Sequence, residues 1–312
     1  KGFGGIKFVY LERNSSMTIK NFRGAMPALI TPFDADGQVD VAKFKTFLEW
    51  LVPQVGGLYV NGSYGSGPIM SVDQRKQALE VVTETVNGRV PIILHAGDPN
   101  TLTSIDLAKH AEGEKVSAIA SLTPYYYLHG QTEIDTHFLK LIDAVSTPIF
   151  LYNNPKYTNF CVTPEQVVNL AEKGLAGLKD SSASIQLFYD LVAATNHFDD
   201  FQVFVGSQTI LLPALIGGGR GCVSGLSNLY PKVVNGIFDA AEAGDYEGAL
   251  KLQREANQLR KLTGAGIPVP FYHSALRYRG VDIGIPKLPM LSKSAEEEAQ
   301  LAKALDGFKH FE

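Results

Sequence analysis

Short runs of apolar and β-branched residues recur along the chain at intervals of about 25 to 35 residues, the length of one strand-plus-helix unit. Eight runs read as strands: Ala25 to Thr31, Gly57 to Asn61, Pro91 to Ala96, Ala118 to Leu122, Pro148 to Tyr152, Leu175 to Lys179, Gln202 to Gly206 and Gly221 to Ser224. Helical patterns with recognisable starts fill the gaps. Ser71-Val-Asp-Gln74 opens Arg75 to Val86, Thr163-Pro-Glu165 opens Gln166 to Lys173, and Pro231 opens Lys232 to Ala243. This unbroken β/α alternation predicts an α/β fold, a (β/α)8 barrel (TIM barrel) over residues 17–243. An open doubly wound sheet fits less well, because no G-x-G-x-x-G follows the first strand.

From Tyr246 the pattern changes to helices alone, at Tyr246 to Leu262, Pro270 to Arg279 and Ala295 to Leu305. Residues 244–312 therefore read as a C-terminal helical extension packed on the barrel. Residues 1–16 carry Gly2, Gly4, Gly5 and the short run Ile6-Lys-Phe-Val-Tyr10, with no signal-peptide pattern. They read as a leader or expression remnant, with Met17 as the start of the folded chain.

Composition narrows the partners. The 312 residues are 45% hydrophobic, enough for a sizeable core, and a net charge of −4 with a pI near 6.0 gives no broad basic field. Nucleic acid and membranes are thereby disfavoured, and a small molecule is the expected partner. Cys161 and Cys222 lie in or beside apolar segments, form no disulfide framework or metal-ligand cluster, and read as core thiols of a cytoplasmic protein.

In a (β/α)8 barrel the C-terminal strand ends line the active site, so polar residues ending these runs are candidates as a set. Lys179 ends the sixth run. A buried lysine is pushed towards its neutral form, and the neutral amine attacks carbonyls; the other reading is a lysine just past a strand end, pointing into water. Period two puts Gly177 on the same face, where a glycine would leave room for a substrate. Tyr152 ends the adjacent run, and its phenol can relay protons if Ser63 or Tyr126 holds it. The glycines around Ser63, Gly62 and Gly65, suit a loop whose amides bind an anion, or are simply turn glycines. Ser224 suits either the site or a helix cap, and Tyr125-Tyr-Tyr127 either the site or a subunit contact.

Together these residues resemble the pyruvate-dependent class I aldolase family that includes N-acetylneuraminate lyase and dihydrodipicolinate synthase. The likeness runs from Phe22 to about Ala304: Gly62-Ser-Tyr-Gly65 resembles the family's G-[ST]-T-G, Tyr152-Asn-Asn-Pro155 its Y-N-x-P, and Gly177-Leu-Lys179 its G-[IL]-K. The resemblance implies a lyase without metal or organic cofactor. Lys179 would form the Schiff base with pyruvate, Tyr152 would carry the proton, and Ser63 would link Tyr152 to Tyr126, the last contributed by a neighbouring subunit of a homotetramer, a dimer of dimers. Substrate contacts would come from Gly62, Tyr64, Tyr157, Ser207, Val223 and Ser224, with the Ser63 and Tyr64 amides on the pyruvate carboxylate.

Departures from the family pattern bear on the second substrate, an aldehyde. Tyr64 stands where the family has threonine. Lys156, Tyr157 and Thr158 follow Y-N-x-P where dihydrodipicolinate synthases place an arginine, and Ser207 and Gln208 stand where sialic acid lyases have an acidic pair. Asn61 to Pro68, Gly206-Ser-Gln-Thr209 and Tyr278 to Pro286 look like the 2-keto-3-deoxygluconate aldolase branch. The expectation is cleavage of a 2-keto-3-deoxy sugar acid to pyruvate and an aldehyde. The alternatives are dihydrodipicolinate synthase or N-acetylneuraminate lyase proper, dehydration of a keto-deoxy sugar acid, and a non-catalytic keto-acid-binding barrel.

Overall fold

The computed structural model describes residues 22–264 and 266–311; the reading of residues 1–16 and of Met17 lies outside them. Eight parallel strands are present among the described residues: β1 (Ala25–Pro27), β2 (Leu58–Val60), β3 (Ile92–His95), β4 (Ala118–Leu122), β5 (Ile149–Asn153), β6 (Leu175–Asp180), β7 (Gln202–Val205) and β8 (Gly221–Ser224). Consecutive strands from β2 to β8 pair in order, and β1 pairs with β8. The amide of Leu29 donates to the carbonyl of Tyr59 at 2.9 Å beside an Ala28–Tyr59 bridge, which joins β1 to β2 and makes the sheet a TIM barrel. That closure shortens the first strand against expectation: after Pro27 the chain splits its bonds, Ala28 to Ser224 and Leu29 to Tyr59, and leaves the ladder before Thr31.

Helices cover the outside: α1 (Val41–Leu51), α2 (Val72–Val86), α3 (Thr101–Gly113), α4 (Gln131–Ala144), the single turn α5 (Pro155–Thr158), α6 (Pro164–Ala171), α7 (Ile185–Thr195), α8 (Leu211–Ile216) and α9 (Pro231–Glu242). Their starts are chemically marked. At α2, Ser71 Oγ accepts from the Gln74 amide while the Gln74 side chain accepts from the Ser71 amide, a capping box. Thr163 caps α6, and Pro231 occupies the first turn of α9. One apolar layer lies between strands and helices, and a second fills the barrel with Met26, Tyr59, Ile93, Phe150, Phe204 and Val223.

The barrel filling corrects the reading of Gly177. The rings of Phe150 and Phe204 stack with centroids 5.5 Å apart, and a side chain at Gly177 would overlap Phe150. The glycine makes room for a core aromatic, not for a substrate. Register slips at Ile149/Phe150, so that Ile149 faces Leu175 and Phe150 faces Gly177; beyond the slip Tyr152 and Lys179 are partners across β5 and β6. A second correction concerns the thiols: Cys222 is buried on β8, but Cys161 sits exposed in the loop after α5, where no layer covers it.

Three further helices follow, α10 (Tyr246–Leu262), α11 (Val269–Tyr278) and α12 (Ala295–Leu305). Buried Gln253 of α10 accepts from the Leu212 amide at 2.8 Å and donates to the Gln208 carbonyl at 2.7 Å, fixing the loop after β7. Buried Tyr272 of α11 meets Tyr64 edge-on, centroids 5.5 Å apart. The C-terminal helices thus shape the barrel mouth. Among the described residues no helix is long and apolar enough to cross a membrane.

Candidate active site

Lys179 is the penultimate residue of β6, inside the barrel, and is only 4% exposed. Its Nζ lies 3.7 Å from the centroid of the Tyr152 ring and 4.0 Å from that of Tyr59. Among the described residues it forms no ion pair with a carboxylate. The adjacent Asp180 is engaged elsewhere, accepting from Asn153 Nδ2 and from Ser182 Oγ, each at 2.7 Å. Burial therefore pulls the amine below its ordinary value, opposed by Tyr152.

The Tyr152 phenol is balanced the other way. Burial alone would raise it, but the Lys179 charge and the Ser181 and Ser63 hydroxyls outweigh burial and hold it below the ordinary phenol value. The Asn154 side chain also donates to its oxygen, at 2.9 Å. An amine shifted towards neutrality beside a phenol shifted towards ionisation is a pair suited to nucleophilic attack with proton transfer.

The loop after β2 is held rigidly against this pair. The amides of Ser66 and Gly67 turn back to the carbonyls of Ser63 and Gly62 at 3.3 and 3.1 Å. Gly65 is required by close approach, since a Cβ there would lie 2.7 Å from the Leu29 carbonyl oxygen. Beneath the loop, Asn61 Nδ2 donates to the Arg75 carbonyl at 2.7 Å, and the buried Arg75 guanidinium donates to the carbonyls of His95 (2.8 Å) and Gly97 (3.2 Å). His95 Nδ1 donates to the Asn61 carbonyl while Nε2 accepts from the Leu122 amide, both at 3.2 Å. This fixes one neutral tautomer, and burial, with Arg75 and Lys179 adding to it, keeps His95 well below the usual imidazole value. His95 is a brace.

Above the pair opens a cavity of about 190 Å³, small beside the roughly 300–1,000 Å³ of drug-sized sites. Ser63, Tyr64, Tyr152 and Ser207 border it, as their strand-end positions suggested, and so does Tyr157, which the family resemblance offered; Lys179 does not line it, but its Nζ lies against the ring of Tyr152, which does. Tyr64 is mostly buried and pushed by that burial up to about 12; its ring fills the space over Gly225, where a side chain would overlap it. The remaining candidates stand apart. Gly62 packs on the Tyr59 ring, Val223 belongs to the barrel filling, and buried Ser224 Oγ bonds Ser227 Oγ at 2.8 Å and accepts from the Ser227 amide, as a cap. None of the three borders the cavity. Tyr126 is 83% exposed beside Tyr127 and Leu128, so within one chain it does not reach Ser63.

The structure adds cavity residues that the strand-end reading passed over, Asn154, Ser181 and Arg260, and places there Lys156, already noted after Y-N-x-P. Asn154 and Ser181 each lie two positions beyond a candidate, at a spacing that keeps them on the same side. Arg260 comes from the end of α10, too far along the chain for any local signal. A larger open groove of about 630 Å³ between α3 and α4 contains none of the strand-end residues.

Comparison with known proteins agrees with this geometry. The model of the dihydrodipicolinate synthetase family matches residues 21–307. A 4-hydroxy-tetrahydrodipicolinate synthase of Desulfotalea psychrophila is 33% identical over 93% of this chain and 97% of its own. Among solved structures, a prophage protein of E. coli belonging to the dihydrodipicolinic acid synthase family, in complex with pyruvate, superposes with a TM-score of 0.88 at 26% identity, covering 92% of this chain and 99% of that one. A variant of the Sulfolobus solfataricus 2-keto-3-deoxygluconate aldolase gives a TM-score of 0.85 at 27% identity, covering 92% and 96%.

Proposed function

The chain belongs to the dihydrodipicolinate synthetase family, whose members are pyruvate-dependent lyases and synthases, and from that premise we propose that Lys179 forms an imine with pyruvate that makes and breaks a carbon–carbon bond. The observation that carries this reading is the buried Lys179 amine, without a carboxylate partner among the described residues, set against Tyr152, which borders the cavity.

The amine adds to the C2 carbonyl of the keto acid and water leaves, giving a protonated imine. In the cleavage direction the C4 hydroxyl proton passes to Tyr152, the C3–C4 bond breaks, and its electron pair flows to the imine nitrogen as an enamine. The aldehyde departs. The enamine takes a proton at C3 and hydrolysis returns pyruvate and free Lys179. Ser63 holds the phenol, and the loop at Ser63 and Tyr64 receives the carboxylate. Lys156 and Arg260 at the rim favour anionic substrates, as a keto acid is. In the assembled protein, a homotetramer in this reading, Tyr126 of a neighbouring copy completes the relay through Ser63; its exposure beside Tyr127 and Leu128 supports such a contact.

For the aldehyde we favour the short hydroxyaldehyde released from a 2-keto-3-deoxy sugar acid, because Tyr157 replaces the arginine expected after Y-N-x-P and Ser207 begins a neutral pair after β7. The synthase named for the Desulfotalea relative is the second reading, supported by that relative's coverage and by Lys156 and Arg260, which suit an aldehyde bearing a carboxylate. A screen of aldehydes with pyruvate separates them. Preferential pyruvate consumption with hydroxyaldehydes supports the first, and with carboxylated aldehydes the second. Water release with the carbon chain intact assigns dehydration, and pyruvate binding without turnover of any aldehyde makes the barrel a keto-acid sensor.

A further inference from the structure

Tyr152 has a partner that the proton relay does not use. Asn154 lies two residues beyond it, 5% exposed, at the turn between β5 and α5. Its backbone carbonyl anchors that turn, accepting from the amides of Tyr157 (3.0 Å) and Thr158 (3.2 Å) and from Thr158 Oγ1 (3.3 Å). Its side chain makes no capping bond to α5; it borders the cavity, and Nδ2 donates to the phenol oxygen at 2.9 Å. The amide is held by its own backbone and aimed at the one oxygen through which the proton must pass.

A phenol has one proton to give and two lone pairs to receive with. Filling a lone pair with an amide N–H leaves the phenolic proton to turn elsewhere, and stabilises the oxygen once the proton has gone. We propose that Asn154 is a positioning residue for Tyr152: its side-chain N–H fixes the phenol oxygen, directs the phenolic proton to Ser63 and the cavity, and shares the negative charge that develops there. The x of Y-N-x-P is then a tuning position for the tyrosine in this chain. An apolar residue at that position would leave the phenol to choose its own orientation.

The inference rests on the lyase reading of the same cavity. The test compares the pH profiles of aldol cleavage in wild type, Asn154→Leu, Asn154→Asp and Tyr152→Phe, with folding checked by thermal melting. Tyr152→Phe identifies the limb that belongs to the phenol. In Asn154→Leu that limb moves upward by about one unit and kcat falls about tenfold, with KM for the substrate little changed. In Asn154→Asp, which replaces the donor by a negative charge, the limb moves further up. Asn154→Ser, smaller and donor-poor at this reach, substitutes for the leucine variant if that one does not fold, and moves the limb the same way. A change in KM alone with the limb in place overturns the proposal, because Asn154 would then only touch substrate. A downward shift in Asn154→Leu also overturns it, since the amide would then be accepting the phenolic proton. Trapping of pyruvate on wild-type Lys179 keeps the two ideas distinguishable: no adduct removes the lyase reading, whereas an adduct with an unmoved limb removes only the role of Asn154.

Discussion

Lys179 Nζ stands 3.7 Å from the centre of the Tyr152 ring, with the two residues exactly one strand apart and directly paired across β5 and β6. A cation over an aromatic face gains roughly 0.5–2 kcal/mol, too little to repay the removal of an ammonium from water. The lysine is kept at a cost to the fold, as expected of a group retained for chemistry.

That cost is measurable. The folded-state value of Lys179 is lowered by burial, so the unfolded chain binds the proton more readily and the charge opposes folding. The penalty is fully present at pH below the lowered folded value, shrinks as pH rises from there, and is gone above the ordinary lysine value of the unfolded chain. Lys179→Met is therefore expected to gain about 1–2 kcal/mol of stability at neutral pH, with the gain fading in alkaline buffer, and to lose all activity. Denaturant melts across that pH range read the result.

Tyr152→Phe keeps the ring over the amine and removes the proton carrier. We expect kcat for aldol cleavage to fall by about 10²–10⁴-fold while the protein stays folded. Tyr59→Phe is the contrast. Among the described residues the buried Tyr59 hydroxyl has no hydrogen-bond partner, so its loss leaves the ring beside Lys179 and is expected to raise stability by up to about 1 kcal/mol. Steady-state kinetics and thermal melts on both variants check the pair.

Gly177→Ala tests the corrected role of that glycine. The new methyl must displace the Phe150 ring from its stack with Phe204, and about 1–3 kcal/mol of stability should be lost. If the space were a substrate pocket, KM would rise with stability unchanged.

Tyr126→Ala tests the assembly. A lone chain leaves Tyr126 and Leu128 more than four-fifths exposed; if the proposed tetramer forms, removing the ring is expected to weaken it and lower kcat together, read by light scattering alongside kinetics. A monomeric wild type of full activity would contradict the relay across copies.

The barrel was legible because strand-plus-helix spacing and helix caps are local signals, and Ser71, Thr163 and Pro231 open their helices where expected. Strand-end logic brought Ser63, Tyr64, Tyr152 and Ser207 to one mouth with Lys179 against Tyr152, and the family resemblance added Tyr157. Strand-end logic misplaced Gly177, because strand parity says which way a residue faces but not what fills the space before it. Strand-end position offered Ser224 and the family resemblance Val223 as cavity residues, although Ser224 caps the following turn and Val223 fills the barrel. Arg260 and Tyr272 were out of reach, since their place over the mouth depends on how α10 and α11 pack.

The most direct test is reduction of the protein with borohydride in the presence of pyruvate, followed by peptide mass analysis. A reduced pyruvyl adduct on Lys179, absent without pyruvate and absent in Lys179→Met, is the predicted result. Folded, active protein that acquires no adduct, or acquires it on another lysine, would contradict the account.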